Sequence, residues 1–380
     1  MTRPEVEWRI ERMIEEIPLA THRTEHIKAA IRAVPRHPFI PVRAQALLGA
    51  DETEQIIDRD ADPKAWWAAV YSDSVIVTQI ADGTGEIRAG AREPTSSASA
   101  PSTVADLLGW LEPEPGHRVL EVGTGTGWTA ALLSHLVGDE GVATSIEVDP
   151  QVAERAAKNL SDAGVQAQLV VGDGAAGCPG RAPFDRVHVT CGIRQVPHNW
   201  IEQTRPGGTI VLPYCPGLGN GHGLRLTVFP DGTASGRFQG FAAYMMMRSQ
   251  RPAHATRDDG SGQYSSTRID PRTIAYAPPG ALVAMAGLTG FQVTSRQQGD
   301  QFYVWVVDQD HPEVWTLVTH EPGQPEFEVY QLGERSLWEE VTDAYFRWVG
   351  WGEPSRERFG MTVTPEWQRI LLDSPDHHLS

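Results

Sequence analysis

The 380-residue chain has little of several things, and each shortage closes off a class of protein. Cysteine occurs three times, at Cys178, Cys191 and Cys215. An odd count without metal-ligand spacing excludes a disulfide framework and a zinc module, and it reads as reduced thiols in a cytoplasmic protein with no metal. No run of 18 apolar residues occurs, and Met1-Thr2-Arg3-Pro4-Glu5 opens no apolar targeting segment, so neither a membrane span nor a signal sequence is expected. Positive charge is short as well: the net charge is −17. Phosphate backbones are bound by basic surfaces, so a nucleic-acid partner is not expected. The deficit is uneven. From Asp300 to the end there are 16 acidic residues, five arginines and no lysine.

What remains is an ordinary globular composition, 40% hydrophobic and 21% charged, long enough for two domains or one domain with a large extension. The stretch that organises it is Val119-Leu120-Glu121-Val122-Gly123-Thr124-Gly125-Thr126-Gly127-Trp128. A short apolar run ends in an acid, glycines alternate with threonines, and an Ala/Leu-rich segment follows. That is the pattern of strand, tight turn and helix. Glycines let the backbone approach a ligand closely, and the helix start offers free N–H groups at the positive end of its dipole. A dinucleotide fingerprint needs another glycine where Trp128 stands. The spacing instead resembles the first motif of Rossmann-like S-adenosylmethionine (AdoMet) methyltransferases. A second apolar stretch ends at Glu147-Val148-Asp149, with Glu147 20 residues beyond Gly127, where a carboxylate can accept both ribose hydroxyls. A third ends at Gly172-Asp173-Gly174, where Asp173 can accept from an adenine amino group.

Taken in order, residues 4–17 and 25–34 carry helical apolar stripes, and Pro38 and Pro41, flanking Phe39-Ile40, end the second helix and predict an extended strip over 34–41. Residues 51–62 are acidic and expected to be exposed. Residues 95–103, Thr-Ser-Ser-Ala-Ser-Ala-Pro-Ser-Thr, have the composition of a flexible linker. Their place just before the glycine motif favours a functional reading, a run of small hydroxyl residues that closes over a ligand, with Ser99 or Ser102 capping a helix over 103–111. From Val119 strands and helices alternate, and a hairpin turning at Pro230-Asp231-Gly232 closes the series. His188, in a strand, reads as a satisfied core histidine and not a catalyst, and Met245-Met246-Met247 as core. Residues 251–263 read as a linker. Beyond it, strands over 302–307, 315–320 and 327–331 precede a helix opened by the capping box Ser336-Leu337-Trp338-Glu339. Six of the twelve tryptophans lie beyond residue 300, either as a small core or as a recognition surface.

With these residues in place, roughly the first 250 positions resemble the protein-L-isoaspartate O-methyltransferase family. The resemblance is carried by Val34-Pro35-Arg36 with Phe39 and Pro41, Tyr71 with Asp73, and Ser99-Ala100-Pro101. It continues through Glu121 to Gly127, Gly172-Asp173-Gly174, and Pro206-Gly207-Gly208 before Leu212-Pro213. The family usually has His after Ser-Ala-Pro, where this chain has Ser102. The resemblance implies an α/β, Rossmann-like, doubly wound methyltransferase with AdoMet as cofactor, to which the strand and helix patterns beyond residue 263 add a smaller C-terminal α+β module. It implies Ser99 at the methyl-transfer site. Ser96, Ser97, Ser99, Glu121, Gly123, Thr124, Gly125, Gly127, Glu147, Val148, Asp173 and Gly174 would then line the cofactor. The expected organisation is a helical part over 1–90, a cofactor-binding core over 91–250, a linker over 251–263 and a peptide-recognition module over 264–380.

The C-terminal extension also resembles a branch that acts on ribosomally made, modified peptides (graspetides, lanthipeptides, lasso peptides). There, methylation of an Asp carboxylate lets the ester close to an aspartimide. That gives the leading expectation, a carboxyl O-methyltransferase acting on a modified precursor peptide. The alternative is repair of isoaspartyl damage in proteins. A silent AdoMet-binding protein is disfavoured by the presence of Ser99. A base N-methyltransferase is disfavoured by Cys191-Gly192-Ile193, where an Asn/Asp-Pro-Pro-aromatic run would stand.

Overall fold

A computed structural model describes residues 2–17, 24–49, 53–252, 257–258 and 260–379. The chain divides into two compact units: residues 1–191, 197–212 and 227–232 in the first, and 192–196, 213–226 and 233–380 in the second. The second unit thus takes in two short segments upstream of the 251–263 stretch, of which 253–256 and 259 lie outside the described residues.

The first unit opens with helices α1 (Arg3–Glu16) and α2 (Thr24–Ala33), whose buried stripes include Ile10, Met13 and Ile14, and Ile27, Ala30 and Ile31. A four-stranded antiparallel sheet follows in the order β2-β1-β3-β4: β1 (Arg43–Leu48), β2 (Thr53–Asp58), β3 (Val75–Ile80) and β4 (Pro94–Ala98), with α3 (Pro63–Val70) between β2 and β3. The extended strip expected over 34–41 contains a short 3-10 turn at His37–Phe39 instead. Part of the acidic 51–62 stretch is strand β2, and residues 51–52 of it lie outside the described residues.

Helix α4 (Pro101–Leu111) leads into a parallel sheet ordered β9-β8-β5-β6-β7: β5 (Arg118–Val122), β6 (Val142–Glu147), β7 (Gln168–Val171), β8 (Phe184–Val189) and β9 (Thr204–Tyr214). The connecting helices are α5 (Trp128–Val137), α6 (Pro150–Asp162) and α7 (His198–Glu202), with α4 packed on β8, and α5 on β5 and β6. β5 through β7 step one way and β8–β9 the other. The order therefore reverses beside β5, and the crevice at such a reversal is where doubly wound sheets bind ligands.

β10 (His222–Val228) and β11 (Ala234–Phe241) are joined through Pro230-Asp231-Gly232 as expected, and β11 lies in the second unit. β11 ends before the methionine triplet, of which only Met247 is buried. β12 (Gln263–Thr267), α8 (Pro271–Ala275), α9 (Pro279–Thr289), β13 (Phe291–Gln298), β14 (Gln301–Asp308), β15 (Trp315–His320), β16 (Phe327–Leu332) and α10 (Leu337–Gly350) come next. The five strands form an antiparallel sheet ordered β12-β16-β15-β14-β13, with α8 and α10 packed on it. Helix α10 buries Leu337, Val341, Ala344 and Trp348. Ser336 is its N-cap residue, but its side chain makes no capping hydrogen bond, so the expected box does not form. Strands β17 (Phe359–Val363) and β18 (Gln368–Leu372) finish the unit, with β17 antiparallel to β11. Trp315, Trp338 and Trp348 are buried, so half of the late tryptophans are core.

Candidate active site

Strand β5 buries Val119, Leu120 and Val122 and then breaks into three glycines in the left-handed region, Gly123 at φ +99°, Gly125 at +55° and Gly127 at +88°. At Gly123 the space is closed as well: a Cβ would stand 2.5 Å from Thr190 Oγ1, which follows β8 across the sheet reversal. Thr190 locks the pair by donating its hydroxyl to Val122 O at 3.0 Å. Gly127 is the N-cap residue of α5. Trp128 opens that helix fully buried, and its indole N–H donates to Val34 O at 3.0 Å. The residue that spoils a dinucleotide fingerprint is therefore a packing anchor for α2.

Two acids of the motif region are held differently. Glu121 is fully buried, and Ser145 donates to its Oε2 at 2.5 Å while sharing a 2.6 Å hydroxyl contact with Thr124. Its Oε1 has no partner and is buried. Burial pushes the Glu121 carboxyl up to about 8, against the Ser145 hydrogen bond, and the nearby Glu147 charge adds to the rise. Glu147 is 9% exposed, and each oxygen accepts one backbone N–H, from Gly125 at 3.0 Å and from Asp149 at 3.1 Å. A carboxylate has about four acceptor positions, so two remain for a ligand. Val148 beside it is exposed. Asp149 caps α6 through the N–H groups of Gln151 and Val152 and accepts from Gln79 Nε2 at 3.2 Å, tying β3 to the end of β6. Asp173 accepts the Ala175 N–H at 3.0 Å and so fixes the turn at the end of β7, with Gly174 buried behind it.

The hydroxyl run is no linker. Residues Pro94–Ala98 are strand β4, antiparallel to β3, with Ser96 buried and Thr78 donating to its hydroxyl at 3.3 Å. A Cβ at Gly125 would stand 3.2 Å from Ser97 O, which puts the strand directly against the glycine loop. Ser99 is half-buried, and its hydroxyl has no hydrogen-bond partner among the described residues. Neither Ser99 nor Ser102 caps α4. The N-cap residue is Ala100, and the Ser102 N–H donates to the Asp73 carboxylate at 2.9 Å. A carboxylate from another segment outcompetes a local hydroxyl because it carries full charge at a helix N-terminus. Asp106, further along α4, is pushed up to about 6 by burial and by Asp73.

The main residue without an assigned role in the sequence reading is Arg36. Its guanidinium is fully buried and donates to five carbonyls: Val70 (3.1 Å), Ser72 (3.4 Å), Ser74 (2.9 Å), Ala98 (3.1 Å) and Ser99 (2.8 Å). It also lies 5.4 Å from the Trp128 ring centroid. Burial lowers its pKa to about 10, and the charge of Asp73 holds it up. The only sequence signal was the Val-Pro-Arg of the family resemblance. Nearby, His37 and Tyr71 share a 2.7 Å hydrogen bond, and burial lowers the His37 pKa. His188 is a core histidine, and burial lowers its pKa to about 3, but neither ring nitrogen has a partner among the described residues, so it is not the satisfied histidine expected.

Residues 10–222 match the sequence model of the family "Protein-L-isoaspartate(D-aspartate) O-methyltransferase (PCMT)". The "Protein-L-isoaspartate O-methyltransferase" of Methanopyrus kandleri is 34% identical over 53% of this chain and 75% of its own length. The chain belongs to the protein-L-isoaspartate O-methyltransferase family. Its namesake in Archaeoglobus fulgidus, "Protein-L-isoaspartate O-methyltransferase 1", is 32% identical over 53% of this chain and 76% of that one. The Thermotoga maritima relative of the same name is 37% identical, over 38% of this chain and 43% of that one. Family members are AdoMet-dependent carboxyl O-methyltransferases, so the cofactor is AdoMet. A solved structure titled "Protein-L-isoaspartate O-methyltransferase" shares the fold with a TM-score of 0.54 at 20% identity, over 98% of this chain and 100% of that one. The shared fold therefore extends through the C-terminal unit. Among the described residues no helix is long and apolar enough to cross a membrane. Among the described residues no group of three or more His, Cys, Asp or Glu is placed to hold a metal.

Proposed function

We propose that this chain transfers the methyl group of AdoMet to the free carboxylate of an L-isoaspartyl residue in a peptide or protein. The observation that carries the reading is the contact of the Ser96–Ser99 strip with the glycine loop, made through Ser97 O at Gly125, in a chain of this family. The residues fit the cofactor: a left-handed glycine cradle, a buried Glu121 oxygen without a partner, and a Glu147 carboxylate with acceptor capacity to spare. Gly123, Thr124, Gly125 and Gly127 would hold it through their backbone, since Thr124's side chain is turned to Ser145. Glu147 and Val148 would take the ribose side, Asp173 and Gly174 the adenine side, and Ser96, Ser97 and Ser99 the opposite wall. When bound, AdoMet supplies an electrophilic methyl on a sulfonium.

A carboxylate is ionised at neutral pH, so no proton has to be removed before it attacks. The task left to the chain is to position one oxygen, exclude water and orient the other. The Ser99 hydroxyl can donate to the oxygen that does not attack, and Arg36 fixes its backbone. The ester then has a better leaving group than the acid. The next backbone nitrogen attacks it and expels methanol to leave a five-membered imide.

The narrower expectation, an Asp of a modified ribosomal precursor peptide closing to an aspartimide, rested on the C-terminal module. A fold of this extent occurs in a protein titled as the isoaspartyl enzyme, so that argument no longer favours it. Incubation of an isoaspartyl peptide, its normal Asp twin and a cyclised precursor-type peptide with the enzyme and AdoMet tests the reading by mass spectrometry. One added methyl on the isoaspartyl peptide, followed by methanol loss, is the expected result. Methylation of the precursor-type peptide alone overturns it.

A further inference from the structure

We infer that the open face of the five-stranded sheet in the second unit is a docking surface for an extended, cationic and apolar polypeptide segment. Strand register puts one line of side chains across all five strands: Tyr264, Tyr330, Leu317, Trp305 and Thr294. Beside it on the same face runs a second line, Leu332, Trp315, Val307 and Gln292, of which Leu332, Trp315 and Val307 are buried with Tyr330 and Leu317 packed against them. The opposite face is spent on the core, since Val304, Val306 and Val318 are fully buried and α8 and α10 pack on the sheet. Among the described residues the first line of the aromatic face is the open one. Tyr264 is 69% exposed and Trp305 is half-buried, while Tyr264 and Tyr330 stand 4.8 Å apart and Trp315 and Tyr330 5.7 Å. Aromatic side chains gathered on one surface are the usual anchors of an interface.

Charge selects the occupant. At the β12–β16 side of the face Glu328 is exposed, Glu326 accepts from Ser266 Oγ at 2.9 Å, and Asp258 accepts from the Tyr330 hydroxyl at 2.7 Å. Arg296 sits on the far strand, in the line Glu328, Thr319, Tyr303, Arg296. Over the chain from Asp300 on, 16 acids face five arginines. Five strands at about 4.8 Å spacing make a line of roughly 20 Å, the reach of about six residues of extended chain. A segment with Lys or Arg at one end, laid toward Asp258, Glu326 and Glu328, and with Leu, Phe or Tyr along the aromatic line, complements both features.

The test uses the full chain and fluorescein-labelled twelve-residue peptides that contain no isoaspartate, so its outcome does not depend on the methylation reading. A peptide with Arg and Lys followed by Leu and Phe should bind by fluorescence anisotropy, and weaken several-fold between low and high salt. Its Asp/Glu counterpart should bind at least tenfold more weakly. The paired change Glu326→Lys and Glu328→Lys should cost roughly tenfold in affinity, and Tyr264→Ala several-fold. Both sets alter exposed side chains, and unchanged AdoMet affinity by calorimetry will confirm that the fold is kept. Equal binding of the acidic peptide, no binding of either peptide, or unaltered binding in the variants overturns the inference. So does a self-associating chain that Tyr264→Ala makes monomeric in sedimentation, which would give the face to a second copy.

Discussion

The guanidinium of Arg36 donates to the carbonyl of Ser99 at 2.8 Å and to that of Ala98 at 3.1 Å, so a residue 63 positions upstream sets the backbone of the proposed methyl-transfer serine. Among the described residues no acid bonds to this cation; its partners are carbonyls of two stretches, 70–74 and 98–99. A planar fork of five N–H donors can bridge them, and an ammonium cannot. Arg36→Lys should therefore keep the charge yet lower kcat more than it raises the KM for AdoMet. Arg36→Ala should destabilise the first unit by about 3 kcal/mol or more, as several charge-assisted hydrogen bonds are lost at once. Thermal unfolding beside methylation kinetics separates the two effects.

Ser99→Ala removes a half-buried hydroxyl without disturbing Arg36, which holds only the Ser99 carbonyl. Turnover should fall on the order of tenfold while AdoMet affinity stays near its original value, the mark of one hydrogen bond made to the reacting carboxylate. Full turnover in this variant would assign the orienting role elsewhere.

Gly125→Val should abolish AdoMet binding, because a β-branched residue is strained at φ +55° and its Cβ would press on Ser97 O. Glu147→Gln is milder. The amide can accept only one of the two N–H groups from Gly125 and Asp149, so affinity should fall by about 1.5–3 kcal/mol. Titration calorimetry of both variants checks the cofactor assignment.

The buried Glu121 makes stability pH-dependent. Its carboxyl is pushed up from 4.5 to about 8 in the folded chain. Between those values the folded state holds a proton that the unfolded state has lost, so stability falls as pH rises and levels off above about 8. Denaturant midpoints measured from pH 5 to pH 8.5 should show this decline, and Glu121→Gln should flatten it.

Truncation after residue 251 should give an insoluble or unfolded product. It removes β17, whose residues 360–363 pair with Ala234–Arg237 of β11, and so uncovers a long strand edge. A soluble, AdoMet-binding fragment would show that the second unit is dispensable for folding.

The glycine motif was legible because its physics is local. Three positive-φ positions in a row of five between a buried strand and a helix strongly favour residues without a Cβ, and the acids that follow sit at strand ends fixed by the apolar runs before them. The helical stripe of α10 and the alternation in β14–β16 were legible for the same reason: side-chain period follows from backbone geometry. Where local signals competed with distant partners, the distant partners won. The serines before α4 cap nothing because Asp73 reaches their helix, and a stretch with linker composition became β4 because β3 offered it an antiparallel neighbour.

By itself, then, the chain determined where the backbone must turn, which faces are apolar, and that a nucleotide-like ligand belongs beyond β5. Tertiary structure alone decided how the Ser96–Ser99 strip meets that turn. It also decided that Arg36 is spent on carbonyls and that the aromatic residues of β12, β14 and β16 fall in line across one sheet face, with Trp315 of β15 beside them. Each of these depends on which strands become neighbours and in what register. That is a property of long-range packing, and no short window of sequence contains it.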